Sequence, residues 1–250
     1  MKELVKLVIV SHGRADCVKS KNAFANACIC VEESQEEEYR KHNPECEIVT
    51  HPDSVVGLSA KYRWVHKKFG NIAIIGDDID YLRRNYLQDM KNKAAIVDPE
   101  TAYEIIQATA FTAKEMGAKL FAFSKESNPL TYPGHTPFRL TGIASGGVIG
   151  LFEDFQLKIT DRCVSGLDYF ISGLNAHYNR YMFIDERYFT ACIEGTFVSK
   201  GGMSTFRTVD TERRDYEYMK ELFGDAIVRK TNQNLRKFKH PYEKTLKVPF

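Results

Sequence analysis

Two apolar periods alternate along the chain. Short continuous apolar runs end abruptly in polar clusters, and the segments between them carry apolar residues at three- and four-residue spacing. Residues 4–10 form the first run and open into Ser11-His12-Gly13-Arg14-Ala15-Asp16, which predicts a buried strand, a polar loop and a short helix through Phe24. Residues 28–31 predict a second strand ending at Glu32-Glu33, and Ser34-x-x-Glu37 then has the form of a capping box. Residues 48–50 predict a third strand, broken by His51-Pro52-Asp53. Over residues 57–69 the period is helical, with Leu58, Tyr62, Val65 and Phe69 on one face and Gly70 as a stop. Residues 72–75 are the fourth apolar run, closed by Gly76-Asp77-Asp78-Ile79-Asp80. A β-α-β-α-β-α-β order predicts a largely parallel sheet with right-handed crossovers. Ligands bind outside the carboxyl ends of such strands. Four polar clusters fall on that rim: residues 11–16, Glu32-Glu33, residues 51–53 and residues 77–80.

The second half reads differently. Asp98 caps a helix with Pro99 at its first position, a stripe of Ala102, Ile105, Ile106, Thr109, Ala113 and Met116, and Gly117 as its stop. Residues 119–124 predict a strand, and residues 125–140, with three prolines, a long loop. Residues 141–151 predict a Gly-rich strand in which Gly146 and Gly147 admit a ligand or another backbone, or mark a bulge. Ser165 is expected to cap a helix with Leu167, Phe170, Ile171 and Leu174 in the core and Asp168 in its first turn, facing away. Residues 181–192 read as a strand pair and Lys200-Gly201-Gly202 as a basic loop. A last helix carries Tyr216, Met219 and Phe223 and closes at Gly224, with a basic tail from Ala226 onward. The expected organisation is a β/α half over residues 1–97, an acceptor half of the same domain over 98–225, and the tail over 226–250.

Charge changes this picture in two places. Net charge is +2, but residues 32–38 hold five glutamates, while residues 229–247 hold seven Lys or Arg and one acid. Most of the acidic run complements the N-terminal dipole of a helix whose last turn carries Arg40, Lys41 and His42. In the tail, Arg236, Lys237 and Lys239, interleaved with Phe238 and Tyr242, have the pattern of a phosphate-gripping segment, or of a solvated tail. The six cysteines form no CxxC pair, and Cys28-x-Cys30 fits strand alternation. No signal peptide or run of membrane length is evident, so a cytoplasmic protein with no membrane partner is expected.

The candidate chemistry centres on residues 77–80. Three carboxylates within four residues at a strand end repel one another, and a divalent cation removes that cost. Mg²⁺ and Mn²⁺ take oxygen ligands, typically one or two carboxylates with substrate phosphates. The alternative is a polar turn with Asp80 capping a following helix. No Gly-x-Gly-x-x-Gly and no Walker motif is present, which disfavours dinucleotide and P-loop chemistry.

These pieces in this order resemble a GT-A glycosyltransferase, and more narrowly the TET-associated glycosyltransferase family, found mostly in bacteriophages. The resemblance is carried by VIVSHGRADCVK at 8–19, VEESQEEEY at 31–39, GLSAKYRWV at 57–65 and IIGDDIDYL at 74–82. GIASGGVIGL at 142–151, SGLDYF at 165–170 and SKGGMSTFR at 199–207 continue it, over about residues 5–225. It implies a UDP-sugar donor, Mn²⁺ or Mg²⁺, and an acceptor hydroxyl on a modified pyrimidine of DNA. Ser11, His12 and Arg14 match the nucleotide-meeting loop, Glu33 the acidic position near base or ribose, and Arg63 a basic position near the diphosphate. Asp78 matches the main metal contact, with Asp77 and Asp80 beside it as donor and metal candidates. Asp168 matches the catalytic base, and Lys200 with Gly201 the late Lys-Gly-Gly loop. Gly146, Gly147, Arg236, Lys237 and Lys239 are the acceptor-side candidates. The chain departs from the family at Gly76, where a third consecutive acid is usual, and at Leu167, where Glu is common. A glycan, lipid or small-molecule acceptor, a nucleotidyltransferase and a non-catalytic binding module are the alternatives.

Overall fold

The computed structural model describes residues 3–89, 91–145, 147–192, 207–230 and 241–247. The first four apolar runs form parallel strands β1 (Lys6–Val10), β2 (Cys28–Glu32), β3 (Ile48–His51) and β4 (Ile72–Gly76). β1, β2 and β4 are buried on both faces, as strands with helices on either side must be, and edge strand β3 is partly so. β5 (Tyr81–Arg84), β6 (Leu120–Ser124), β7 (Phe138–Arg139), β8 (Val148–Leu151) and β9 (Phe183–Ala191) extend the same sheet in the order β3-β2-β1-β4-β8-β6-β9-β5, with β7 on β9. β8 runs against both β4 and β6, while β5 and β7 run against β9. The sheet is therefore mostly parallel and the fold is the mixed α/β arrangement expected of a GT-A-like chain.

Strand alternation sorts the core into two layers. Leu7, Ile9, Ile29, Ala73, Ile75 and Phe121 face one side, under α3 (Pro99–Glu115) and Tyr39 of α1 (Glu36–His42). Val8, Cys28, Cys30, Ile72, Ile74 and Ala122 face the other, under α2 (Leu58–Phe69), α4 (Leu167–Tyr178) and α5 (Val209–Phe223). Asp98 caps α3 through the Thr101 amide, as its sequence predicts. Cys28 and Cys30 lie side by side on the second face, and burial pushes their thiols up to about 12 and about 11.

Several expectations are corrected. Residues 15–24 form two short 3₁₀ turns, Ala15–Cys17 and Ser20–Asn22, because the Lys19 and Ser20 amides donate across to the Asp77 carbonyl. Ser34 does not cap α1; its amide donates to Asp53, and Gln35 takes the N-cap position with its side chain turned to the Gly13 amide. Asp80 precedes strand β5 rather than a helix. The Gly-rich segment is a strand only from Val148, since the Ala144 amide turns aside to Ser172 of α4. Residues 183–191 are one strand, not a pair: buried Asp185 is forked by Arg187 at 2.8–2.9 Å and buried Glu186 pairs with Arg139, so the polar middle continues. A register shift against β6 absorbs the extra residues.

Ser165 does not cap α4 either. Gly166 stands at the N-cap with φ +69°, a left-handed conformation that favours glycine, and Ser165 donates its hydroxyl to Asp215. The stretch read as a basic tail contains β10 (Ile227–Arg229) and β11 (Lys244–Leu246), an antiparallel pair. Ile227 and Leu246 are buried in the second core layer beside Leu167, Phe170 and Met219.

Candidate active site

The carboxyl ends of β1, β2 and β4 open on one cavity of about 1110 Å³, at the upper end of ligand-pocket sizes of about 300–1,000 Å³. Its walls are the loop after β1, the end of β2, the segment 53–57, the first turns of α2, the Asp77-Asp78 turn and residues 161–164. The first turn of α2 carries unsatisfied backbone amides and the positive end of a helix dipole, which favours an anion.

The turn after β4 is built by its neighbours. Ser20 donates to the Gly76 carbonyl at 2.5 Å and accepts from the Ile79 amide at 2.9 Å. Asp77 turns inward, where Oδ1 takes the Arg14 guanidinium at 2.7 Å and Oδ2 takes the Ser11 hydroxyl at 2.6 Å. Arg14 and Asp77 are 6% and 7% exposed, so Ser11, Arg14 and Asp77 brace the cavity floor with their polar groups engaged. Asp78 stands on the cavity wall, half-buried. Burial first and the Asp77 charge second push its carboxyl above the usual range, and the Cys192 thiol donates to it. Asp80 turns to Lys19 at 3.5 Å and, unlike Asp78, is not on the cavity wall.

Among the described residues no three His, Cys, Asp or Glu side chains are placed to hold an ion by themselves. One carboxylate beside an anion-favouring helix end does fit Mg²⁺ or Mn²⁺ carried in with a diphosphate, which needs only one or two protein carboxylates. A Cβ on Gly76 would stand 3.2 Å from Asp78 Oδ1, so this departure leaves room next to the same carboxylate.

At the β2 end Glu32 lines the cavity and Glu33 does not. Strand alternation puts Glu32 on the Cys28 and Cys30 face, toward α2, whereas Glu33 begins a 3₁₀ turn and is exposed. Glu32 Oε1 accepts from Lys61 Nζ at 3.2 Å and lies 3.0 Å from His12 Nδ1. Lys61 is buried and also donates to the Ser11 carbonyl at 2.6 Å. Burial would raise the Glu32 carboxyl, but Lys61 leads a set of interactions that hold it below the usual range. His51 is fully buried and burial holds its pKa down, so the imidazole is neutral; Nδ1 donates to the Pro52 carbonyl at 3.1 Å. Glu32 Oε2 and His51 Nε2 are buried acceptors without a hydrogen-bond partner among the described residues. Lys61 and Gln35 were missed in the sequence, and His51 was placed on the rim without a role. The Lys61 signal was present: it precedes Tyr62 on the α2 flank that faces the Cys28, Cys30, Glu32 row.

Arg63 reaches the wall but is tied to the Ile159 carbonyl at 2.7 Å and to Asp161 at 2.5 Å. Gly147 does not open space for an acceptor: Ile79 fills it, and a Cβ there would lie 2.1 Å from Ile79 Cδ1. Gly146, Lys200, Gly201, Arg236, Lys237 and Lys239 lie outside the described residues. Asp168 faces inward, against expectation. It is half-buried behind Tyr62 and Cys163, which line the cavity and whose ionisation its charge opposes. Burial raises its own carboxyl, against the pull of the Tyr169 amide, Lys244 and Arg207.

The TET-Associated Glycosyltransferase family model matches residues 5–202. The chain belongs to this family. The match takes in every element that lines the cavity, from β1 to the segment before α4 and beyond it through β9. It makes the protein a glycosyltransferase, and sets the nucleotidyltransferase alternative aside. A search of curated proteins finds no match. No helix among the described residues is long and apolar enough to cross a membrane.

Proposed function

We propose that this glycosyltransferase moves a sugar from a UDP-sugar, with Mn²⁺ or Mg²⁺, to a hydroxyl on a modified pyrimidine of DNA. The observation that carries the donor half is the convergence of three parallel strand ends on a single large cavity, with the Asp78 carboxylate, in no ion pair among the described residues, on its wall. A bound cation would supply charge stabilisation for the departing diphosphate. Asp78 would hold it, while the first turn of α2 faces the same anion. Glu32, fixed by Lys61, presents a buried acceptor toward the nucleoside end.

Asp168 is the proposed base. Its raised pKa brings a carboxylate nearer to working pH, the direction a general base needs for a contribution of about 10²–10⁴-fold. Removal of a proton from the acceptor hydroxyl by Asp168 gives inversion at the anomeric carbon. The DNA acceptor is supported by the family and by basic residues of the C-terminal region, and a base in duplex must be extruded before it can react. The test is release of UDP from UDP-sugars with Mn²⁺ in the presence of hydroxymethylpyrimidine DNA, unmodified DNA or free saccharides. Turnover with the modified DNA alone supports the reading. Turnover with saccharides alone transfers the same donor chemistry to a glycan acceptor.

A further inference from the structure

The C-terminal hairpin lies beyond the stretch matched to the family, yet it packs against the start of the helix that carries the proposed base. Lys244 of β11 is 4% exposed, and its Nζ lies 3.3 Å from Glu212 Oε2 on α5. Glu212 is equally buried and takes Arg207 Nε on its other oxygen at 2.6 Å. The lysine stem crosses the N-cap of α4: a Cβ on Gly166 would stand 3.0 Å from Lys244 Cε and 3.4 Å from Nζ. Only Leu167 separates Gly166 from Asp168. The chain entering α4 is pinned from the same side, since buried Asp215 accepts the Val164 amide at 3.0 Å, the Ser165 hydroxyl at 2.6 Å and the Ser165 amide.

Resting on the assignment of Asp168 above, we propose that Lys244 is a positioning residue for Asp168, so that the hairpin β10–β11 is a working part of the acceptor half rather than a nucleic-acid tail. A buried ammonium beside the first turn of α4 favours the carboxylate over the carboxylic acid at Asp168 and fixes the turn that holds it behind Tyr62 and Cys163 of the cavity wall. Among the described residues, the groups that bear on Asp168 include Tyr62 from α2, Cys163 from the segment before α4, Tyr169 on α4 itself, Arg207 before α5 and Lys244 from β11. Glu212 and Asp215 stand behind them as counter-charges. Lys244 is the one brought in by the C-terminal hairpin. Its burial and its pairing with Glu212 keep it off phosphates, which accounts for a basic residue at a position where a tail read from sequence would place a DNA contact.

The test is a carboxyl-carbon NMR titration of aspartate-labelled full-length protein, with the Asp168 signal assigned by its loss in Asp168→Asn. Lys244→Met should move the Asp168 midpoint up by about one pH unit, and Lys244→Arg should return it to within a few tenths of wild type. A folded Lys244→Met protein with an unmoved midpoint overturns the proposal. Should Lys244→Met not fold, Glu212→Gln carries the test, because loss of that acid removes the counter-charge at 3.3 Å from Lys244 Nζ and must lower the midpoint; an unchanged or raised value overturns the proposal. With UDP-sugar and modified DNA, full transfer by Asp168→Asn removes the base assignment and leaves the titration readable, so the two ideas fail separately.

Discussion

Replacing Asp77 and Asp78 one at a time separates the brace of the site from its working group. Asp77→Ala removes the partner of Arg14 at 2.7 Å and of Ser11 at 2.6 Å, and leaves a guanidinium that is only 6% exposed without its carboxylate. Breaking one side of a buried ion pair costs about 3–5 kcal/mol. For a chain of this length each kcal/mol is worth about 2–4 °C, so the melting temperature should fall by about 6–20 °C. Asp78→Asn should do the opposite. Burial and the Asp77 charge hold the Asp78 carboxyl above its ordinary value, so ionising it costs the folded state stability as pH rises through the usual carboxylate range. The amide removes that cost and keeps an acceptor for the Cys192 thiol, so at neutral pH the variant should melt at or above wild type. Differential scanning calorimetry at pH 5 and pH 7.5 checks both signs. An Asp77→Ala protein melting within 2 °C of wild type, or an Asp78→Asn protein melting well below it, would refute this division of labour.

Three further outcomes follow from the same geometry. Glu32→Gln should weaken UDP binding by about tenfold or more, about 1.4 kcal/mol, while exposed Glu33→Gln stays near wild type by isothermal titration calorimetry. His51 has a depressed folded-state pKa, so the unfolded chain takes up its proton first and stability is lost as pH falls below about 6.5; His51→Asn should flatten that part of the stability–pH curve from urea unfolding. Truncation after Gly224 should destabilise or abolish folding, seen by circular dichroism, because it strips Ile227 and Leu246, about 1.5–3 kcal/mol each, from the second core layer and takes Lys244 away from buried Glu212.

Much of the sheet was legible because buried parallel strands leave uninterrupted apolar runs, and the breaks at Ser11, Glu32 and Gly76 marked their carboxyl ends correctly. The cavity followed from that topology. What sequence could not show is which way each polar side chain turns. Asp77 and Asp78 are adjacent and chemically alike, yet one is spent on Arg14 and the other faces the cavity, a choice made by Ser20 and Lys19 from a distant loop. Residues 181–192 read as a strand pair, yet β9 is continuous through Asp185-Glu186-Arg187, and only tertiary pairing with Arg139 and Arg187 makes those acids tolerable inside a strand. Lys244 looked like part of a charged tail, and only the hairpin register puts it under α4.

The central claim is that the cavity at the ends of β1, β2 and β4 takes a nucleoside diphosphate through a cation on Asp78. Calorimetric titration of UDP into wild type and Asp78→Asn, each with Mn²⁺ and with EDTA, measures it directly. The account predicts binding by wild type with Mn²⁺ that weakens about tenfold or more on either change, with no further loss when both are combined. Equal affinity in all four titrations would contradict it.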